Sequence, residues 1–179
     1  EGTRRLVDAV QSAAQPGARL VLVSSLAAAG PSVDGAGSVR PAVDCRPPSL
    51  YGQSKRQGEL AVQASELTHW MILRPPIVYG PGDAATRLLF RTGGAPISIV
   101  PWTPRPLSIV HVDDLARALV AAATSTVHGA TVAIEGPERV TTHSLNRRIA
   151  AACGRHTHLL RLPPALLWPA AAAADVVSW

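Results

Sequence analysis

The chain has 179 residues, 47% hydrophobic and 16% charged, which is enough for a domain with a real core. Its net charge of +5 comes from scattered arginines, with Lys55 the single lysine, no basic run and one Phe, a pattern that argues against a nucleic-acid partner. Cys45 and Cys153 stand far apart without CxxC spacing, which argues against a metal site or disulfide framework and fits a reduced, cytoplasmic compartment.

In chain order, "GTRRLVDAVQSAA" at 2–14 places Leu6, Val7, Val10, Ala13 and Ala14 on one helical face, and Pro16-Gly17 ends that helix. "RLVLVSS" at 19–25 is a short Val-rich apolar run, the pattern of a parallel strand buried on both faces. A Gly/Pro/Ser/Ala loop over 26–48 follows. Ser49 is placed to cap a helix running to about Leu67. "HWMILRP" at 69–75 predicts a second buried strand, and "VYGPGD" at 78–83 a turn. A short helix is expected near 84–91, and strands at 96–100 and 106–110. From Val112 the apolar positions Leu115, Leu119 and Ala123 recur with helical period, with Asp113 and Asp114 in the first turn, where the helix dipole favours them. "ATVAIEG" at 130–136 predicts a strand, and Thr141 or Thr142 caps a helix carrying Leu145, Ile149 and Ala152. The apolar tail, 159–179, is interrupted by Arg161, Pro163, Pro164, Pro169 and Asp175, so it reads as an amphipathic or core helix rather than a membrane span.

Helices alternating with buried apolar strands predict an α/β fold with a parallel sheet, whose ligands bind at the carboxyl ends of the strands. Ser24-Ser25, Pro75-Pro76 and the loop after Val110 lie at such ends. Tyr51 follows one of them, four residues ahead of Lys55. A phenol with a pKa of about 10 is a poor base at neutral pH, and a cation one helical turn away favours its phenolate. A strand-end serine can donate to the substrate oxygen. Such a relay serves a carbon that gains or loses hydride, and the hydride carrier must be a nicotinamide, because no side chain does that chemistry.

Ser25 followed by Tyr51-x-x-x-Lys55 resembles the catalytic triad of the short-chain dehydrogenase/reductase superfamily. "VLVSSLAAAG", "YGQSK", "ILRPPIVYGPGD" and "SIVHVDDLARAL", in that order over about residues 2–150, are similar to its extended branch, the NAD-dependent epimerase/dehydratase family. The resemblance implies a partial Rossmann-type fold, a doubly wound parallel sheet lacking its first strands, plus a small C-terminal substrate-binding α/β part. It assigns 1–110 to the C-terminal half of the dinucleotide-binding domain with the catalytic residues, interleaved with the substrate region, and 76–179 mostly to substrate binding. It also implies NAD or NADP as cofactor and a small-molecule substrate carrying a secondary alcohol or carbonyl. A homodimer through helices 2–14 and 50–67 is expected, with no membrane partner.

Position by position, the resemblance makes Ser25 the active-site serine, Tyr51 the general acid/base and Lys55 its tuner and a ribose ligand. Ser24 lies near the cofactor, and Pro75, Pro76, Ile77 and Val78 form the loop passing the nicotinamide. His111, Val112 and Asp113 match a motif that orders a helix start beside the substrate region.

Two departures stand out. The family's GxxGxxG turn is absent, and "GAG" at 35–37 is no substitute. With Glu1 at the start and Met71 the single Met, the chain reads as part of something longer whose first strands lie upstream. Sugar-nucleotide epimerases of the family often carry an Arg four residues before the motif's histidine; here that position is Leu107. This favours a steroid-, flavanone- or other carbonyl-type substrate.

Plainer readings stand beside these. Tyr51 and Lys55 alone would be a solvated pair, His111 fits a structural role, Asp113 and Asp114 fit helix-end charges, and His156 and His158 fit a surface. Arg105 is either a substrate anion clamp or a solvated side chain. The rival readings of the whole chain are a non-catalytic Rossmann-like scaffold and an incomplete reading frame.

Overall fold

The computed structural model describes residues 1–13, 17–32, 39–41, 44–163 and 165–167. The Gly35–Gly37 stretch, the helix stop at Pro16 and the tail from Trp168 onward lie outside the described residues. The chain divides into two compact units, one of residues 1–78 and 109–137, the other of 79–108 and 138–179. The two units interleave along the chain, because the strand at 130–133 pairs back into the first sheet.

The first unit begins with α1 (Gly2–Ala13), β1 (Leu20–Val23), one turn of 3-10 helix (Leu26–Ala28) and α2 (Leu50–Gln63). Then come β2 (Trp70–Arg74) and β3 (Ile77–Tyr79). The three-stranded sheet has the order Leu20–Val23, Trp70–Arg74, Ala130–Ala133, all parallel. Side chains alternate across a strand. Ile72 therefore packs with Val7 of α1 and Val62 of α2, joined by Leu20 and Leu22, while Met71 and Leu73 pack on the opposite face with Ala122 and Leu119. Burying one such aliphatic side chain contributes about 1.5–3 kcal/mol.

The central strand is buried as its apolar run predicts, but β1 is only half buried, with Val23 in solvent. Among the described strands β1 is an edge and has a neighbour on one side. Leu6 likewise lies outside the core that takes Val7. Ser49 caps α2, its hydroxyl accepting from Gly52 N at 3.1 Å. The helix ends at Gln63 rather than near Leu67, where the Ser65 hydroxyl donates to Val62 O at 2.6 Å and competes with the helical ladder.

The second unit contains α3 (Ala84–Gly93), β4 (Ile97–Pro101) and β5 (Pro106–Leu107). The run expected as one strand over 106–110 is broken: β5 belongs to this unit, and β6 (Ile109–His111) pairs with β3 in the first. The first unit is completed by α4 (Val112–Thr124) and β7 (Ala130–Ala133). The second unit resumes with β8 (Val140–Thr141), α5 (Thr142–Ala152) and β9 (His158–Leu162). Thr141 caps α5 in a reciprocal capping box with Ser144. The expected turn at 78–83 is displaced: Val78 and Tyr79 are in β3, and the turn sits at Pro81-Gly82. The start of the apolar tail is a strand rather than a helix, because residues 158–162 pair in parallel with residues 97–101.

At Gly52 the first turn of α2 lies against the 3-10 turn: an added Cβ would meet Ala27 O at 2.5 Å and Pro47 Cβ at 2.9 Å. Alanine there gains helix propensity of at most about 1 kcal/mol, whereas overpacking against backbone costs about 1–3 kcal/mol. Gly52→Ala is expected to lower the urea midpoint of the full-length protein; an unchanged or higher midpoint would show that the two turns are loosely packed.

Candidate active site

Ser24 and Ser25 leave the end of β1 in opposite directions. Ser24 shares the parity of Leu20 and Leu22 and points toward α2, where it is buried. Its backbone N–H extends the sheet by donating to Leu73 O at 2.8 Å. Ser25 caps the 3-10 turn: its oxygen accepts from Ala27 N at 3.2 Å, so its O–H remains a donor. Leu26 N donates to Pro75 O at 2.9 Å, tying the start of that turn to the end of β2.

Tyr51 and Lys55 are one turn apart at the start of α2, the helix whose first turn packs on the turn that Ser25 caps. Tyr51 is 48% exposed. The Lys55 ammonium lies 5.7 Å from the centre of the Tyr51 ring and donates one long bond, 3.5 Å, to Val23 O. A lysine so placed keeps donors for a further ligand and puts a positive charge beside the phenol. Lys55 thus reaches the carboxyl end of β1, and the helical turn bearing Tyr51 lies against the turn that Ser25 caps, in one unit with Ser24, Pro75, Ile77 and Val78. Pro75 is buried, and Ile77 and Val78 run along β3.

Arg105 belongs to the other unit. Its backbone exchanges bonds with Thr142, and its side chain is exposed. His111 caps α4, its Nδ1 accepting from Asp113 N at 3.3 Å, and Asp113 and Asp114 occupy the first turn. Cys45 and Cys153 are not joined in a disulfide.

A buried cluster behind these groups escaped the reading of the sequence. Glu59, one turn beyond Lys55, is 0% exposed. Its Oε1 accepts from Ser24 Oγ at 2.6 Å and Arg74 Nε at 2.8 Å. Its Oε2 accepts from Arg74 Nη2 at 2.7 Å and Arg56 Nη1 at 3.0 Å. Arg74 is also buried, and its Nη2 donates to Cys45 Sγ at 3.1 Å. The available signal was Arg74 itself, a charge inside the apolar run "MILRPP" with the inward parity of Ile72, and an acid in α2 beside the inward Val62. Burial pushes the Glu59 carboxyl up, but hydrogen bonds from Arg74, Ser24 and Arg56 and the Arg74 charge outweigh it and hold it below its usual range. Arg74 is raised, first by its hydrogen bonds to Glu59.

Residues 1–134 match the profile of the NAD-dependent epimerase/dehydratase family. A ceramide reductase of Caulobacter vibrioides is 35% identical over 181 residues, 99% of this chain and 51% of that protein. The structure of Thermus thermophilus UDP-glucose 4-epimerase in complex with NAD aligns with a TM-score of 0.69 at 26% identity, over 90% of this chain and 56% of that one. A dTDP-glucose 4,6-dehydratase from Bacillus anthracis in complex with NAD shares the fold, with a TM-score of 0.72 at 20% identity, over 90% of this chain and 54% of that one. The chain therefore spans about half the length of the relatives it matches.

A lowered folded-state pKa means that Glu59 stabilises the fold fully above the ordinary carboxyl value near 4.5, and that this stability is lost as pH falls through the depressed value. Between these limits the unfolded chain binds the extra proton. The urea midpoint of the full-length protein should therefore fall as pH drops below about 4.5, and fall less steeply in Glu59→Gln. Equal slopes would remove Glu59 from the acid response.

Proposed function

The chain belongs to the NAD-dependent epimerase/dehydratase family, and from that premise we propose that it carries the catalytic part of a nicotinamide-dependent reductase acting on a carbonyl or secondary alcohol. The observation behind this reading is the grouping of Ser25, Tyr51 and Lys55 at one strand end, with the phenol open to solvent and the ammonium beside it. The donor set fits the nicotinamide-ribose half of NAD or NADP: Lys55 retains donors for ribose hydroxyls, and residues 75–78 lie in the same unit. The bound nicotinamide would supply or accept the hydride. Tyr51 would donate its phenolic proton to the substrate oxygen during reduction, or take it during oxidation. Ser25 would hydrogen-bond the same oxygen. Lys55 would hold the ribose, with its ammonium 5.7 Å from the centre of the Tyr51 ring.

The substrate proposed is an apolar carbonyl compound of the ceramide type rather than a sugar nucleotide. Leu107 supports this: where sugar-nucleotide epimerases often carry an arginine, this chain has an apolar residue paired with the buried Val140. The similarity to a ceramide reductase points the same way. We also propose a homodimer through α1 and α2, which leave Leu6, Leu50 and Leu60 in solvent.

Two experiments on the full-length protein follow. Oxidation of NADH or NADPH should accelerate with a keto-ceramide and not with UDP-glucose, and Tyr51→Phe should lower kcat by on the order of 100-fold or more while cofactor still binds. Unchanged turnover in Tyr51→Phe would remove the tyrosine from the chemistry, and turnover of UDP-glucose alone would overturn the substrate class. Light scattering should report a dimer that Leu60→Arg converts to monomer; a wild-type monomer refutes the dimer.

A further inference from the structure

Glu59 uses every acceptor position of its carboxylate inside the protein, on three elements at once. Arg56 lies on its own helix, Ser24 at the end of β1 and Arg74 at the end of β2. Stability alone gives little reason for this. A buried ion pair is often no more stabilising than apolar side chains of the same volume. Apolar packing, however, has no direction, whereas four short hydrogen bonds fix both position and orientation.

What they fix is specific. From α2 two rungs reach consecutive residues of one strand end: Lys55 Nζ to Val23 O, and Glu59 to Ser24 Oγ. The next residue is Ser25, and one turn before Lys55 on the same helix is Tyr51. The first rung is long, at 3.5 Å, and comes from a flexible side chain; the second is 2.6 Å and buried. Registry between helix and strand end therefore rests on the second.

We propose that Glu59 is the positioning residue of the Ser25–Tyr51–Lys55 relay, acting through Ser24 on β1 and Arg74 on β2 to hold the registry between α2 and the strand end. This rests on the relay reading above. It assigns the Ser24 hydroxyl to Glu59 rather than to the cofactor. Glu59 touches no substrate, so its effect falls on the rate of the chemical step, where misplacement of about 1 Å costs on the order of 100-fold.

The test uses the full-length protein, with the keto-ceramide and reduced nicotinamide as probes, and compares Ser24→Ala, Glu59→Gln, the double variant and Tyr51→Phe. Ser24→Ala leaves the Glu59–Arg74 pair intact and should keep its unfolding midpoint within about 4 °C of wild type. Its kcat should fall by about 3- to 10-fold, with the cofactor KM within about 2-fold. Glu59→Gln should cost kcat on the order of 10- to 100-fold. The double variant should be no slower than Glu59→Gln, because Ser24 acts through Glu59. A wild-type kcat in folded Ser24→Ala overturns the proposal, as does a raised cofactor KM at unchanged kcat, which would put Ser24 on the cofactor. Multiplying effects in the double variant overturn it too. If Glu59→Gln does not fold, Ser24→Ala decides alone. A wild-type kcat in Ser24→Ala with an inactive Tyr51→Phe removes the positioning role and leaves the relay standing; a fully active Tyr51→Phe removes the relay itself.

Discussion

A carboxylate with no access to water must find all its hydrogen bonds in the protein, and in this chain that requirement falls on Glu59. Its four donors come from the helix, from the end of β1 and from the end of β2, so the carboxylate is satisfied only when these three are in register. The surrounding apolar packing of Val7, Val62 and Ile72 brings helix and sheet together but would tolerate a slide along the strands. The ion pair does not. Removing one partner of such a pair leaves a buried charge and costs about 3–5 kcal/mol.

The helix α2 carries a gradient along one stripe. Tyr51 at its start is open to solvent, Lys55 is partly covered, and Glu59 is sealed. Each step of four residues turns the side chain by about 40° around the axis, which is enough to pass from the solvent edge to the sheet over two turns. A group proposed to exchange protons with substrate and one proposed to hold registry can therefore sit on the same helix. Gly52 serves the first: without a side chain, the turn bearing Tyr51 comes down onto the turn that Ser25 caps.

Period-2 alternation separates the two serines at the end of β1. Ser24 faces the helix and gives its proton to Glu59, whereas Ser25 faces away from that cluster and keeps its donor. The same parity brings Arg74 to Glu59 and sends Leu73 to Ala122 on the far face. A one-residue slip of β2 would put the guanidinium on the α4 side and take both Arg74 hydrogen bonds from Glu59, leaving it with Arg56 and Ser24, so the ion pair also specifies strand register.

Sequence alone was sufficient for the helix–strand alternation, the Ser49 cap, a cap at Thr141 or Thr142, the acidic first turn of α4 and the Tyr51–Lys55 spacing, because each depends on neighbours a few residues apart. It was also sufficient for the family, through four ordered motifs. Tertiary structure decided the rest. Residues 158–162 became a strand because residues 97–101 offered a parallel partner, and 106–110 split because its halves pair in different units. Half-burial of β1 followed from its place at the edge among the described strands. Single hydrogen bonds in the Glu59 cluster join residues up to 35 positions apart, and no local pattern says which buried charge meets which. Spacing encodes what one helix or strand can present; only packing brings two elements close enough for their charges to pair.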